Sequence, residues 1–440
     1  MRAGIWGAGN IAEVHGAALA GAGVELAAVV DTDGRRAEAF ARRYGALRHG
    51  TDPDLLFSGG LDAVHVCTPP NLHFGMVSRL IDAGIPVLCE KPLCLTGAQA
   101  YELAVKARRA HVPNAVNFNL RYHQALVRAR EMVSDGAFGP VRLVHGSYLQ
   151  EFHAFPAPYG WRYDEALAGK MRAVTEIGTH WFDIAQQVSG HTIQSVSAVF
   201  GRHDPVRLLG GDGMMKGGPD LSGNGVQVGK GARLGDGGTA DPIVDSLGDG
   251  SDTARGLDAM VSGESSPAWR KVRVDSEDSA LITMRMDGGA LASVVLCETS
   301  HGRSNRLSLE VTGRDQSLWW DSEDIGKLHG ARKGTGVNTQ LFAFGNNGFA
   351  DSFRALVAAF YEALAAGAGK PEPGKPSGAT AKDGAVGDSE PVMAHTGHTL
   401  PDFMQAARIA AICDAVYESA LADGAWVEVE AFKGDIEEKT

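Results

Sequence analysis

The feature that most constrains this chain lies in its first 120 residues, where short, continuously apolar runs alternate with helix-like segments. Ala3–Trp6, Leu26–Asp31, Asp62–Cys67, Pro86–Cys89 and Ala115–Phe118 read as strands without the polar alternation of a half-exposed sheet. Strands apolar on both sides must be covered on both sides, which is the condition of a parallel sheet layered with helices. The intervening segments supply that cover. Thr96 to Ala110, for example, brings Ala100, Leu103, Ala104 and Ala107 to one helical face. Residues 1–122 are therefore predicted to form a doubly wound α/β domain.

After Tyr122 the pattern changes. Val141–Gln150, Ile193–Phe200, Ala280–Met286, Ala290–Cys297, Arg306–Thr312 and Ser317–Trp320 are β-rich or alternating, joined by turns such as Asp287-Gly288-Gly289. Ser352–Ala366 and Asp402–Leu421 carry helical stripes. Residues 123–440 thus read as an α+β domain with a large, mostly antiparallel open sheet. Two glycine-rich or biased stretches, 201–270 and 367–391, bury too little apolar surface to oppose their backbone entropy. They read as an insertion and a flexible loop. A phosphate cradle within 210–238 is disfavoured, because no strong strand precedes it and no amphipathic helix follows.

Composition narrows the partners. A formal charge of −12 argues against nucleic acid and against anionic membranes, both of which select an excess of Lys and Arg. No apolar run approaches the ~20 residues that span a bilayer. Met1 to Trp6 passes directly into strand-like sequence with no signal-peptide pattern, and the five cysteines are scattered and odd in number. A cytoplasmic protein without a disulfide framework is expected.

Four motifs could carry chemistry. Gly7-Ala8-Gly9-Asn10-Ile11-Ala12 is a G-x-G-x-x-A turn between the first strand and first helix, where backbone N–H groups and the helix dipole favour a pyrophosphate. Asp31 ends the second strand 22 residues after Gly9, placed to accept from a ribose diol and to repel a 2′-phosphate. NAD is therefore favoured over NADP, although Arg35 and Arg36 could tolerate the phosphate. Thr68-Pro69-Pro70-Asn71-Leu72-His73 follows the third strand, on the rim where such sheets bind ligands. His73 could contact a ligand or pack locally at a helix start. Glu90-Lys91-Pro92 ends the fourth strand on the same rim, and its lysine could polarise a substrate hydroxyl or be merely solvated. In Glu176-Ile177-Gly178-Thr179-His180-Trp181-Phe182-Asp183, a helix would set Glu176, His180 and Asp183 on one face. An imidazole oriented by carboxylates can accept an alcohol proton. A metal site is the rival, disfavoured because no third histidine has compatible spacing. An ordinary packed helix remains open.

Taken together, these motifs resemble the glucose–fructose oxidoreductase / inositol dehydrogenase / MocA-like family, from the glycine turn to the last helix, the two biased stretches excepted. The resemblance implies an NAD(P)-dependent oxidoreductase of sugars and cyclitols, a homodimer or homotetramer associating through the open sheet. It matches Lys91 to the family's active-site lysine beside the nicotinamide and His180 to its acid/base histidine. Glu176 stands where many members have aspartate, and the bond before Pro92 is often cis. Gly7, Gly9, Asn10, Ile11, Asp31, Thr68, Pro69, Asn71, His73, Glu90 and Lys91 are the expected cofactor contacts. Tyr148, Gln150, Trp161 and Arg162 look like a sugar-lining segment, Asn119, Arg121 and Tyr122 are further candidates at the domain junction, and Asp183 of the histidine block is one more substrate-contact candidate. Structural packing is an equal alternative for these.

The expected reaction is oxidation of a secondary hydroxyl of a sugar, glycoside or cyclitol to a ketone with NAD, with His180 as base and Lys91 assisting. The alternatives are a redox-neutral NAD-dependent glycosidase and a non-catalytic NAD-binding regulator. A regulator would not need both Lys91 and His180.

Overall fold

The computed structural model describes residues 1–154, 159–210, 269–342, 348–367 and 400–430. Most of the 201–270 stretch and all of 368–391 lie outside the described residues.

The N-terminal sheet has six parallel strands: β1 (Arg2–Trp6), β2 (Glu25–Val30), β3 (Arg48–Gly50), β4 (Ala63–Val66), β5 (Val87–Cys89) and β6 (Asn114–Val116), in the order β3-β2-β1-β4-β5-β6. Five of these are the apolar runs. The sixth, β3, escapes an apolar search because it is an edge strand of three residues, Arg48-His49-Gly50, with none fully buried. Strand order reverses between β1 and β4, so the loops after them open a crevice at the carboxyl rim. Val29, Val64, Val66, Val87, Leu88 and Ala115 are wholly buried, as a sheet covered on both faces requires.

Among the described residues the second sheet has nine strands in the order β16-β15-β14-β13-β7-β12-β11-β8-β17. They are β7 (Val141–Leu149), β8 (Ile193–Gly201), β11 (Ser279–Met286), β12 (Leu291–Cys297), β13 (Arg306–Gly313), β14 (Gln316–Asp321), β15 (Lys327–Arg332), β16 (Gly336–Leu341) and β17 (Val427–Glu428). All pairings are antiparallel except β7 with β12. A separate two-stranded antiparallel sheet pairs β9 (Val206–Gly210) with β10 (Trp269–Arg273). In β11 burial alternates strictly, with Ala280, Ile282, Met284 and Met286 inward. The inward face packs on the helix Thr179–Ser189, whose Trp181 is fully buried and donates from Nε1 to the Ser308 carbonyl at 3.2 Å.

The last two helices among the described residues bind the halves together. Phe349–Ala365 packs on the first helix, Asn10–Gly21, inserting Phe353, Leu356, Val357 and Phe360 into the N-terminal core. Phe403–Leu421 lies against both Gly97–Arg109 and β8, its start capped by Asp402, which accepts from Gln405 N at 2.8 Å. The chain therefore returns to the first domain after completing the second.

Candidate active site

The glycine turn has the shape a dinucleotide needs. Gly7 has φ +98°, and a Cβ there would meet the Cys67 carbonyl and Thr68 Cγ2, both at 2.9 Å. Around a Cβ placed on Gly9 there is nothing within 4 Å, and no side chain caps the helix that starts at Asn10. The first-turn N–H groups beside Asn10 and Ile11 are thus left for an anion. Asp31 accepts from Ala8 N (2.7 Å) and Asp33 N (2.8 Å), with Arg36 Nη1 at 3.7 Å. It thereby braces the turn, and each oxygen keeps a lone pair for a ribose hydroxyl. Thr68, Pro69 and Asn71 line the next loop half-buried, and Asn71 Oδ1 is buried with no hydrogen-bond partner. These residues fit NAD.

Beyond that crevice stands a charged cluster. Lys91, joined to Pro92 by a cis peptide bond, points its Nζ at Glu176, 2.9 Å from the backbone carbonyl and 3.5 Å from Oε2. Arg162 Nε lies 3.4 Å from Glu176 Oε1, and its guanidinium covers the Trp161 ring at 4.6 Å. Burial alone would raise the Glu176 pKa, but Lys91, Arg162 and Arg172 outweigh it and hold the carboxyl at about 2. His180 is buried with its Nδ1 unpartnered, between Tyr148 (6.5 Å between ring centres) and Phe118 (6.2 Å). Burial, then the Lys91 charge, pushes its pKa down to about 3, so the imidazole is neutral at working pH. Tyr148 hydrogen-bonds Gln150 and Asn305, and Gln150 Nε2 donates to Asn305 Oδ1 at 2.5 Å.

Local structure departs from the helix expected around Glu176. Val174–Gly178 is a π-turn that leads into the α-helix Thr179–Ser189. The wider turn breaks the i, i+4, i+7 register. Glu176 faces Lys91, whereas Asp183 turns to a buried ion pair with Arg121, whose Nε lies 3.0 Å from Oδ2. Arg121 also donates to Gln405 Oε1 at 2.8 Å, tying the domain junction to Phe403–Leu421. Asp183 and Arg121 are thus corrected from ligand contacts to a buried clamp. Asn119 is fully buried, its Nδ2 donating to Ser352 Oγ at 2.9 Å, and Tyr122 is buried beside it.

Two rim residues face inward as well. His73 is wholly buried, its ring nitrogens 2.9 Å from the Pro92 carbonyl and 2.8 Å from the Thr68 carbonyl. It ties two rim loops together and has no nitrogen left for a ligand. Glu90 is buried with Oε1 against His15 Nε2 (2.9 Å) and Asn117 Nδ2 (2.6 Å). It lies beneath the rim and not on it.

Sequence reasoning missed several groups that support the site. Glu277 Oε1 accepts from Arg172 N and Val174 N, both at 2.9 Å, and so caps the π-turn from a hundred residues away. Glu298 forms a buried ion pair with Arg172. Burial pushes Glu277 and Glu298 up to about 7. Nothing local marks these carboxylates. His15 did carry a signal, because it falls on the apolar stripe of the first helix with Ala12 and Leu19.

A dinucleotide turn, a rim lysine and a neutral buried histidine define an NAD-dependent oxidoreductase with a separate substrate domain. Family models agree: "Oxidoreductase family, NAD-binding Rossmann fold" matches residues 1–118, and "GFO/IDH/MocA C-terminal domain" matches residues 126–319. The chain belongs to the GFO/IDH/MocA family. It is 26% identical over 391 residues to a levoglucosan dehydrogenase of Pseudarthrobacter phenanthrenivorans, covering 88% of this chain and 85% of that one. An inositol 2-dehydrogenase of Rhizobium meliloti is 31% identical over 199 residues, 45% of this chain and 58% of the relative. The solved complex of levoglucosan dehydrogenase with NADH and L-sorbose superposes with TM-score 0.75 at 22% identity, covering 98% of this chain and 99% of that one. The fold is shared.

Proposed function

We propose that this protein oxidises a secondary hydroxyl of a sugar, glycoside or cyclitol to a ketone, with NAD preferred over NADP. The observation that carries this reading is the neutral, buried His180 beside a lysine whose Nζ is held by Glu176. Bound NAD supplies the hydride acceptor. His180 accepts the hydroxyl proton as the carbon–hydrogen bond breaks, while the Lys91 ammonium stabilises negative charge growing on the substrate oxygen. The imidazolium so formed is disfavoured beside Lys91, which drives the proton onward to solvent. Tyr148, Gln150, Trp161 and Arg162 offer an aromatic and hydrogen-bonding wall suited to a polyhydroxylated ring. The relatives named for levoglucosan and inositol support that substrate class.

Supporting a homodimer or homotetramer, the outer face of the large sheet carries a row of exposed apolar residues. Val199, Leu281 and Val295 stand side by side across β8, β11 and β12, and Leu291 stands beside Leu143 of β7. The five cysteines are free thiols, which suits a reducing cytoplasm. Among the described residues no helix is long and apolar enough to cross a membrane. The test of function is NADH formation across sugars, anhydrosugars, glycosides and cyclitols. Lys91→Ala and His180→Ala should keep NAD binding and lose roughly 10²–10⁴ in turnover; full turnover in both would refute the assignment.

A further inference from the structure

We propose that His15, His65 and Tyr361 are positioning residues that fix Glu90, and through it Lys91, by one directional hydrogen-bond chain beneath the dinucleotide site. The inference rests on the reading of Lys91 as a reacting group. His15, on the first helix, is fully buried, with Nε2 2.9 Å from Glu90 Oε1 and Nδ1 2.7 Å from His65 Nδ1. His65, on β4, is also fully buried, and its Nε2 lies 3.0 Å from the Tyr361 hydroxyl. Glu90 Oε1 further accepts from Asn117 Nδ2 at 2.6 Å, and Oε2 accepts from the Lys91 backbone N–H at 3.2 Å.

The ends of the chain set its direction. An ionised carboxylate only accepts, so His15 Nε2 carries a hydrogen, and a ring with that single hydrogen accepts at Nδ1. His65 Nδ1 then carries a hydrogen, and His65 Nε2 accepts from the Tyr361 phenol. Burial keeps His65 neutral and Tyr361 protonated, consistent with that order. Each ring nitrogen has a partner, and the tautomers are determined by the chain and not by solvent. Four buried polar groups from the first helix, β4, the end of β5 and the helix Phe349–Ala365 would pack more cheaply as apolar residues. Their common terminus is the carboxylate that holds the Lys91 peptide.

Lys91 is therefore anchored at both ends, at its N–H by Glu90 and at its Nζ by Glu176. Glu90 is faced by His15 and Lys91, with His73, Cys67 and Cys89 buried around it. Lys91 is faced by Glu176 and Glu90, with His180 and Glu298 close by. Removing the His15 donor leaves Glu90 with less support for its charge. The Lys91 N–H then loses a fixed acceptor, and the residue is held firmly only at its Nζ by Glu176.

The experiment measures the rate of Lys91 acetylation by acetic anhydride at one fixed pH, read by mass spectrometry on the full-length protein, with kcat and the KM for NAD alongside. His15→Leu should raise the acetylation rate by roughly threefold, as the lysine is less firmly held, and lower kcat by roughly tenfold, while the NAD KM stays within about twofold. His15→Gln, whose amide both donates and accepts, should restore both values. Should His15→Leu not fold, Tyr361→Phe serves in its place and should raise the acetylation rate by roughly half. A Lys91 acetylation rate unchanged in the folded His15→Leu protein, or in Tyr361→Phe where that replaces it, overturns the proposal. Full turnover in Lys91→Ala would instead refute the dehydrogenase reading, and it leaves the acetylation result standing.

Discussion

Replacing Glu176 by glutamine tests the electrostatic core of the site. Its carboxyl is held at about 2 against an ordinary 4.5. At about 1.4 kcal/mol per unit, that depression amounts to roughly 3 kcal/mol of preference for the ionised form, the net of burial against Lys91, Arg162 and Arg172. The folded pKa lies below the unfolded one, so this stabilisation is present above pH 4.5 and is lost as pH falls through about 2. Glu176→Gln, which keeps the backbone carbonyl bond to Lys91 Nζ, should lower stability by about 2–3 kcal/mol at pH 7. The gap to wild type should close as pH approaches 2. Glu176 also supports the proton affinity of His180 and helps to hold the Lys91 Nζ in place, so kcat should fall by at least tenfold. Urea denaturation at pH 7, 5 and 3, with steady-state kinetics at pH 7, measures both. A stability gap of the same size at every pH would show that the carboxylate is not held by the cations, and the electrostatic account would fail.

Three further outcomes follow from the same structure. Asp183→Asn strands the buried Arg121 guanidinium and should cost about 3–5 kcal/mol by denaturant titration, with both domains loosened because Arg121 also binds Gln405. Glu277 and Glu298, pushed up to about 7, contribute stability below pH 4.5 that is lost as pH rises through 7; Glu277→Gln should flatten that decline in thermal melts between pH 5 and 8. Asp31→Ser should weaken NAD more than NADP and narrow the cofactor preference, read as the ratio of kcat/KM values, while losing some stability with the Ala8 N–H bond.

Much of this protein was legible locally. Continuous apolar runs gave five strands of a parallel sheet, because two-sided burial leaves no other composition available to them. The glycine turn and the strand-end Asp31 were equally readable, since their spacing is set by one βαβ unit. The short polar strand β3 was not, because an edge strand gains little from apolar side chains.

The amino-acid order by itself determined the two architectures, the family and the candidate chemistry of Lys91 and His180. Each depends on neighbours a few residues apart or on a motif carried by one turn. Tertiary structure alone decided what those groups experience. It sorted Asp183 away from Glu176 by a π-turn, seated His73 and Glu90 beneath the rim, and brought Glu277, Glu298 and Tyr361 to the site from remote segments. The physical reason is that burial and charge proximity set proton affinities, and both arise from contacts between residues far apart in the chain.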